Sequence, residues 1–439
     1  MPGCSTTSEG ALHRRKPLLL FPIVSLAWLV LAASALGGSV RPAASGGAAP
    51  TGAAKPVLAA VPYMGWNTYY GVGGVFDEAT ILSVARSLLH SGLARAGYRI
   101  VWLDFGWASG KRGRRGEIVV DRHQWPDGLR WLTDWLHQHG LLAGIYTDAG
   151  ASGCRGQGVG SLGHYQEDAD RFAAWGFDAV KVDFCGAGQA GLAPEPAYVK
   201  FAQALAENSS HRELLLNVCN FWVPRQVNGT LPTFANSAYA NYRWAPQIAQ
   251  SWRTDTDIGF SKNIQFVNVL RNLDHDAANP TAAGPGHWND PDYLGPGLGM
   301  TSAEAQAQFS MWAIVAAPLM LGSDPRALSP ATIEMLENRQ VIAVDQDPLG
   351  IQGTVVHQEG SGQAWSKPLA GGEAAVALLN RGSQPLEIAT SASEAGLRAA
   401  ASYTLHDLWA GTTERTAGPI SALVPPDSVV LYRVEPQPD

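Results

Sequence analysis

The chain has 439 residues, 46% of them hydrophobic, and a formal net charge of −7. That is ample apolar material for a large core plus a second domain. The mild acidity, with no dense basic run, argues against a nucleic-acid partner. Fifteen tryptophans fit aromatic sugar platforms and plain core packing equally well.

At the N-terminus, His13, Arg14, Arg15 and Lys16 precede an apolar run from Leu18 to Ala33 that ends in Ala33-Ser34-Ala35. A basic region, an apolar region and a small-residue site read as a secretory signal over residues 1–35, hence a secreted protein with no membrane association after cleavage. The alternative is an uncleaved anchor, since the run approaches spanning length; Pro22, Ser25 and the small residues of "LAASALGGS" favour cleavage. Residues 36–60 are rich in Gly, Ala and Pro and read as a flexible linker.

From "YMGWNTY" (63–69) the texture becomes a regular alternation. Predicted strands are 98–104, 141–148, 177–184 and 213–220, then 251–258, 287–294 and 319–324. Helical patterns such as "ATILSVARSLLHSGLARAG", "LRWLTDWLHQHG", "YQEDADRFAAWG", "PAYVKFAQALAENS", "SKNIQFVNVLRNL" and "SAEAQAQFSMWAIVAAPLML" lie between them, several stopping at glycine. Eight βα units in about 285 residues suit a (β/α)8 TIM barrel over 61–348. A doubly wound sheet is the runner-up, but no G-x-G-x-x-G follows the first strand. From 349 to 439 short alternating strands broken by Gly, Ser and Pro predict a C-terminal antiparallel β-sandwich.

Active sites of such barrels lie at the C-terminal strand ends. Here strand two ends in Asp104, strand three in Tyr146 and Asp148, and strand four in Lys181 and Asp183. Strand five ends in Asn220, strand six in Arg253, Asp255 and Asp257, strand seven in Asp290 and Asp292. Any one such carboxylate can be a helix N-cap, Asp148 and Asp290 above all, but five successive strand ends are not explained that way. In "KVDFC", alternation puts Lys181, Asp183 and Cys185 on one face. No paired-histidine or cysteine-quartet pattern supports zinc, no G-x-S-x-G supports a serine nucleophile, and no metal or cofactor is expected, although oxygen ligands for calcium or magnesium are not excluded. Facing carboxylates among Tyr, Trp, Arg and Lys suit glycoside hydrolysis. Cys154, Cys185 and Cys219 remain after signal removal, enough for one disulfide and one thiol. Asn208 and Asn228 match the N-glycosylation pattern, which is short and often idle.

The segments "MGWNTYY", "GLARAGYRIVWLDFGW", "HGLLAGIYTDAGASGCRG", "AAWGFDAVKVDFC", "SWRTDTDI", "AGPGHWNDPDYL" and "WAIVAAPLMLGSD" occur in the order seen in glycoside hydrolase family 27. The chain resembles this α-galactosidase and α-N-acetylgalactosaminidase family over about residues 61–435. The resemblance implies a barrel with a C-terminal β domain and a retaining double displacement on terminal α-D-galactosides of an oligosaccharide or polysaccharide. It makes Asp183, in K-x-D-x-C, the nucleophile and Asp257, in R-x-x-x-D, the acid/base. Lys181 would hold sugar hydroxyls and favour ionised Asp183; Asp257 must start protonated despite Arg253, with Asp183 as the opposing charge. The resemblance also implies a Cys154–Cys185 disulfide, and sugar contacts from Tyr69, Asp104, Phe105, Tyr146, Lys181, Asn220, Arg253 and Asp292. Three of these depart from the family pattern: Phe105 where a second aspartate grips O4 and O6, Asn220 where glutamate contacts O2, and Tyr69 where tryptophan lines the pocket. Phe105 makes an equatorial O4 plausible, so an isomaltodextranase-like enzyme acting on α-glucans is the alternative. Rivals of other classes are a carbohydrate-binding module with a decayed site and a metal-dependent hydrolase. The oligomeric state is not legible.

Overall fold

The computed structural model describes residues 58–156, 158–220, 240–260 and 262–438. The expected signal (1–35), most of the linker (36–60) and Asn228 lie outside the described residues. Leu58 to Ala60 are described, and they dock: the Ala59 carbonyl accepts from Trp288 Nε1 at 2.8 Å and from Gly286 N at 3.0 Å.

Eight parallel strands form one curled sheet: β1 Met64–Asn67, β2 Ile100–Leu103, β3 Leu142–Asp148, β4 Ala179–Asp183, β5 Leu215–Cys219, β6 Ser251–Arg253, β7 Trp288–Asp290 and β8 Leu319–Leu321. Each of the eight falls inside a predicted strand. Neighbours follow chain order from β1 to β7, and β8 pairs β1. The ring closes just beyond β7, where Leu294 N donates to Met320 O and Gly322 N to Leu294 O, both at 2.7 Å. Helices Glu78–Ser91, Leu129–Gln138, Tyr165–Ala174, Pro194–Ala206, Phe266–Ala277 and Ser302–Ile314 separate the strands. Asp77 and Thr301 cap two of them through their side chains, the second as a full capping box with Glu304.

Two local readings need correction. The predicted helix from 261 starts only at Phe266, because Gly259–Phe260 and Asn263–Ile264 pair as a small hairpin first. Cys185 is not a strand residue: β4 stops at Asp183, and Cys185–Gln189 is a short helix.

After helices Pro330–Leu336 and Arg339–Asp345, six antiparallel strands form a sheet in the order 354–359, 362–368, 374–380, 428–436, 403–407, 413–416. A second pair, Leu386–Thr390 with Ile420–Val424, covers one face. Strand alternation divides the apolar residues: Val376, Leu378 and Val434 join the sandwich's own core, while Trp365, Ala377, Leu379 and Leu431 join the barrel's. This second face packs on the Ser302–Ile314 helix, so barrel and sandwich share a core. Lys367 is wholly buried there, donating to Ala313 O at 3.0 Å. Burial lowers its pKa to about 8, against the opposing pull of Asp345 and Asp347.

Removing the Lys367 side chain leaves buried backbone carbonyls without their donor and empties its space in the packed face. Lys367→Ala is expected to cost about 2–4 kcal/mol of unfolding free energy, read by urea denaturation, with the sandwich and barrel losing stability together.

Candidate active site

The parallel register decides which side chains meet. Tyr146, Lys181 and Asn217 stand level on β3, β4 and β5, and one layer further on so do Asp148, Asp183 and Cys219. Beneath the site the barrel interior is polar: Asn217 Nδ2 donates to Ser251 Oγ at 2.7 Å and to Asp290 Oδ2 at 2.9 Å. A cavity of about 350 Å³ opens above, lined by Tyr69, Asp104, Phe105, Tyr146, Lys181, Asp183 and Asp257, with both cysteines of the disulfide, Cys219, Gly73, Gly74, Thr256 and Phe260.

Its floor is an ion pair. Lys181 Nζ, almost fully buried, donates to Asp104 Oδ2 at 2.8 Å and to Tyr293 OH at 2.9 Å. Asn67 Nδ2 donates to the same Asp104 oxygen at 2.9 Å and to Tyr293 OH at 3.0 Å. Burial works against the ammonium charge, but Asp104, Tyr293, Cys219 and Asp183 together outweigh it, and the pKa is raised. Lys181 therefore stays protonated. Its direct partner is Asp104, not Asp183.

Asp183 stands on the wall. Its Oδ2 accepts from Tyr146 OH at 3.0 Å, and its Oδ1 from Phe184 N at 2.8 Å. Cys154 and Cys185 form a disulfide with Cα atoms 4.8 Å apart, and the Cys154 sulfur lies 3.0 Å from Asp183 Oδ2. A disulfide sulfur has no proton, so this is a contact, not a hydrogen bond. Burial first, then the charge of Asp148, pushes the Asp183 carboxyl up to about 7; Lys181 pulls the other way and loses. Asp148 itself accepts from the backbone N–H groups of Gly150, Gly186 and Ala187, so it ties the turn after β3 to the short helix Cys185–Gln189 without being that helix's N-cap residue. Asp290 is no helix cap: it takes Asn217 Nδ2 and Asp292 N.

Across the cavity, Asp257 accepts from Tyr69 OH at 3.0 Å and from Arg253 Nη2 at 3.3 Å. The same nitrogen lies 3.1 Å from Asp292 Oδ2, which also accepts from Tyr70 OH at 2.5 Å and Ile258 N at 2.9 Å. Two carboxylates thus divide one guanidinium. Burial lifts Asp292 to about 6, with Arg253 opposing and Asp257 adding. Asp255 points out of the barrel to Arg271, at 2.9 Å, and His275.

Three expected sugar contacts fall behind the cavity wall. Arg253 and Asp292 support Asp257 from below. Asn220 is fully buried and donates to Asn241 Oδ1 at 2.8 Å. Asp183 pairs in register with Cys219, so alternation turns Cys219 inward and Asn220 away. The sequence reading missed Tyr293, Asn67 and the Phe260 rim; the first two lie inside the quoted "NDPDYL" and "MGWNTYY" segments, where a floor role had no spacing signal. Asn208 spends its amide on Leu205 O and Arg212 O, both at 2.7 Å, and is buried, so as placed it offers no glycan acceptor. Among the described residues, Asp148, Cys154, Asp183 and Cys185 cluster at metal-binding distance, but both sulfurs are spent in the disulfide. No helix among them is long and apolar enough to cross a membrane.

A barrel with carboxylates from β4 and the β6 end facing one cavity defines a glycoside hydrolase class of site. The family description "Alpha galactosidase A" matches residues 73–347, and "Alpha galactosidase C-terminal beta sandwich domain" matches 359–434. Alpha-galactosidase 2 of Arabidopsis thaliana is 36% identical over 377 residues, 85% of this chain and 89% of that one. Alpha-galactosidase I of Mortierella vinacea superposes with a TM-score of 0.78 at 28% identity, covering 87% and 98% of the two chains. The Saccharomyces cerevisiae α-galactosidase solved with raffinose gives 0.74 at 26%, covering 87% and 98%. The chain belongs to glycoside hydrolase family 27 and is a glycoside hydrolase.

Folding holds Asp183 in an environment that resists its charge. With a folded pKa raised above the unfolded value, its contribution to stability is complete below about pH 4 and is lost as pH rises through about 7. The cavity mouth keeps it reachable by water, so three pKa units, about 4 kcal/mol, is a ceiling. Asp183→Asn is expected to unfold at a higher temperature than the parent above pH 7, with the gap closing toward pH 4 in calorimetry.

Proposed function

We propose that the protein is a secreted, retaining exo-α-glycosidase that removes terminal α-D-galactosyl groups from oligosaccharides, with Asp183 as nucleophile and Asp257 as acid/base. One observation carries this reading: the two carboxylates face a single sugar-sized cavity from different strand ends, each held by a tyrosine hydroxyl. In the first step Asp257 gives its proton to the glycosidic oxygen while an Asp183 oxygen attacks C1; the C1–O bond breaks and the aglycone leaves as an alcohol. Asp257, now a carboxylate, takes a proton from water; the water oxygen attacks C1 and frees Asp183, with net retention. Tyr146 OH and Phe184 N fix the nucleophile's orientation. Lys181 has spent two of its three N–H donors on Asp104 and Tyr293, which leaves one for a sugar hydroxyl.

Support for the galactosyl group comes from the relatives' activities and from the ionic floor. Support for secretion comes from the basic and apolar leader and from the disulfide, which persists in oxidising compartments. Phe105, an apolar neighbour of Asp104, favours one second reading, an α-glucan-active enzyme.

The test is turnover of nitrophenyl α-galactoside, with nitrophenyl α-glucoside and dextran alongside, by the parent and by Asp183→Ala. The galactoside is expected to be cleaved, and the substitution to lower kcat about a thousandfold or more. Proton NMR should show the α-anomer as first product; a β-anomer first would refute retention. A chelator should leave the rate unchanged, and a sensitive rate would favour the metal-dependent rival. Because the nucleophile must be ionised, kcat/KM is expected to fall about tenfold per pH unit below about 7.

A further inference from the structure

A disulfide lies against the nucleophile, and the displacement chemistry gives its sulfurs no task. Cys154 Sγ is 3.0 Å from Asp183 Oδ2, and Cys185 Sγ is 3.8 Å from Asp183 Oδ1. Together with Asp148 they put two sulfurs and two carboxylates within 4.8 Å of one another. Both cysteines line the cavity, so a small reductant or an ion can reach them.

The cradle does not depend on the S–S bond. Asp148 and Asp183 stand level in the parallel register of β3 and β4. Asp148 accepts from Gly150 N in the turn after β3, and from Gly186 N and Ala187 N in the short helix that Cys185 opens. Ala149 N donates to Asp183 O at 2.9 Å. The two backbones also touch. A Cβ on Gly186 would lie 2.0 Å from Ser152 O, and one on Gly150 would lie 2.2 Å from Ala187 N. Opening the bond therefore leaves both cysteines on anchored turns beside the same two carboxylates.

We infer that the reduced protein binds one zinc ion between Cys154, Cys185, Asp183 and Asp148, and that this ion silences the nucleophile. The silencing half rests on the reading of Asp183 proposed above. A dithiol supplies two electrons and two protons; the S–S bond opens to two thiols, and the dithiol closes to its own cyclic disulfide. Each thiol then gives its proton to solvent as its sulfur meets the ion. Two thiolates and two carboxylates suit tetrahedral zinc, with the sulfurs about 3.8 Å apart and each sulfur about 3.6 Å from a carboxylate oxygen. Those spacings fit inside the separations already present. The backbone N–H groups on Asp148 orient it as outer partners orient metal ligands. An Asp183 carboxylate held on zinc is a weaker nucleophile, and the ion's charge repels the oxocarbenium-like carbon. Every chain passes through the reduced state before the bond forms. Oxidation expels the ion, because a disulfide sulfur has no thiolate charge to offer it. The disulfide is thus the lock that keeps metal off the nucleophile.

The experiment compares oxidised protein with protein reduced by dithiothreitol and freed of it by anaerobic gel filtration, each given Co2+ or Zn2+ alone. Reduced protein should show a thiolate-to-cobalt charge-transfer band that saturates at one ion per chain and is displaced by zinc. Oxidised protein should show none. Cys219 is a buried thiol in both states, so a band in the oxidised protein would belong to it and overturn the site. Cys154→Ser combined with Cys185→Ser should remove the band, and Asp183→Asn should keep it while weakening zinc about tenfold or more. None of these readouts needs activity. In turnover, one equivalent of zinc should lower the reduced protein's galactoside rate about tenfold or more, with recovery on adding a chelator, and leave the oxidised protein unchanged. No band in reduced protein, or a band that survives the double substitution, would overturn the inference. Zinc bound with the rate unchanged, or a reduced protein already inactive before zinc, would overturn zinc as the silencer. Asp183→Ala in the oxidised protein separately decides whether Asp183 is the nucleophile.

Discussion

A cation buried at the centre of the barrel mouth organises the site. Lys181 has almost no access to water, so its charge must be matched inside the protein. Asp104 supplies the anion from β2, Tyr293 a hydroxyl from beyond β7, and Asn67 a link between those two from β1. Tyr69, Tyr146 and Tyr293 also present rings within 6 Å of the ammonium. One buried charge thus draws on β1, β2, β3 and the segment after β7, and the cavity is the space left above them.

Every other ionised group in the site is arranged around the cost of burying charge. Asp183 sits near a disulfide and a second aspartate, and its upward shift comes from burial first and the charge of Asp148 second, against the pull of Lys181. On the far side, Arg253 is shared by Asp257 and Asp292. Asp292 is itself held at φ +93°, a backbone region costly for a side-chain-bearing residue, by hydrogen bonds from Tyr70 and Ile258 and by Arg253. Those contacts hold Asp292, and through it Arg253, in place beside Asp257.

The C-terminal sheet is part of the same cooperative body. Its inner face completes the hydrophobic cluster of the barrel helix Ser302–Ile314, and Lys367 donates to Ala313 O in the last turn of this helix. The sandwich therefore stabilises the β8 side of the ring, away from the cavity wall formed by β2 to β6.

The sequence by itself determined the eight strands, the sandwich and the candidate carboxylates, because period-two and period-3.6 patterns and strand-end polarity are local signals. It also placed Asp104, Lys181 and Asp183 where they are found, since strand ends face the mouth of any such barrel. Tertiary structure alone decided who pairs with whom. Lys181 chose Asp104, 77 positions away, over Asp183, two away, and Cys219 took the inward position in place of Asn220 through the register with β4. Those choices depend on distances between strands remote in sequence and on how much water each group loses, and neither quantity is written in a local pattern.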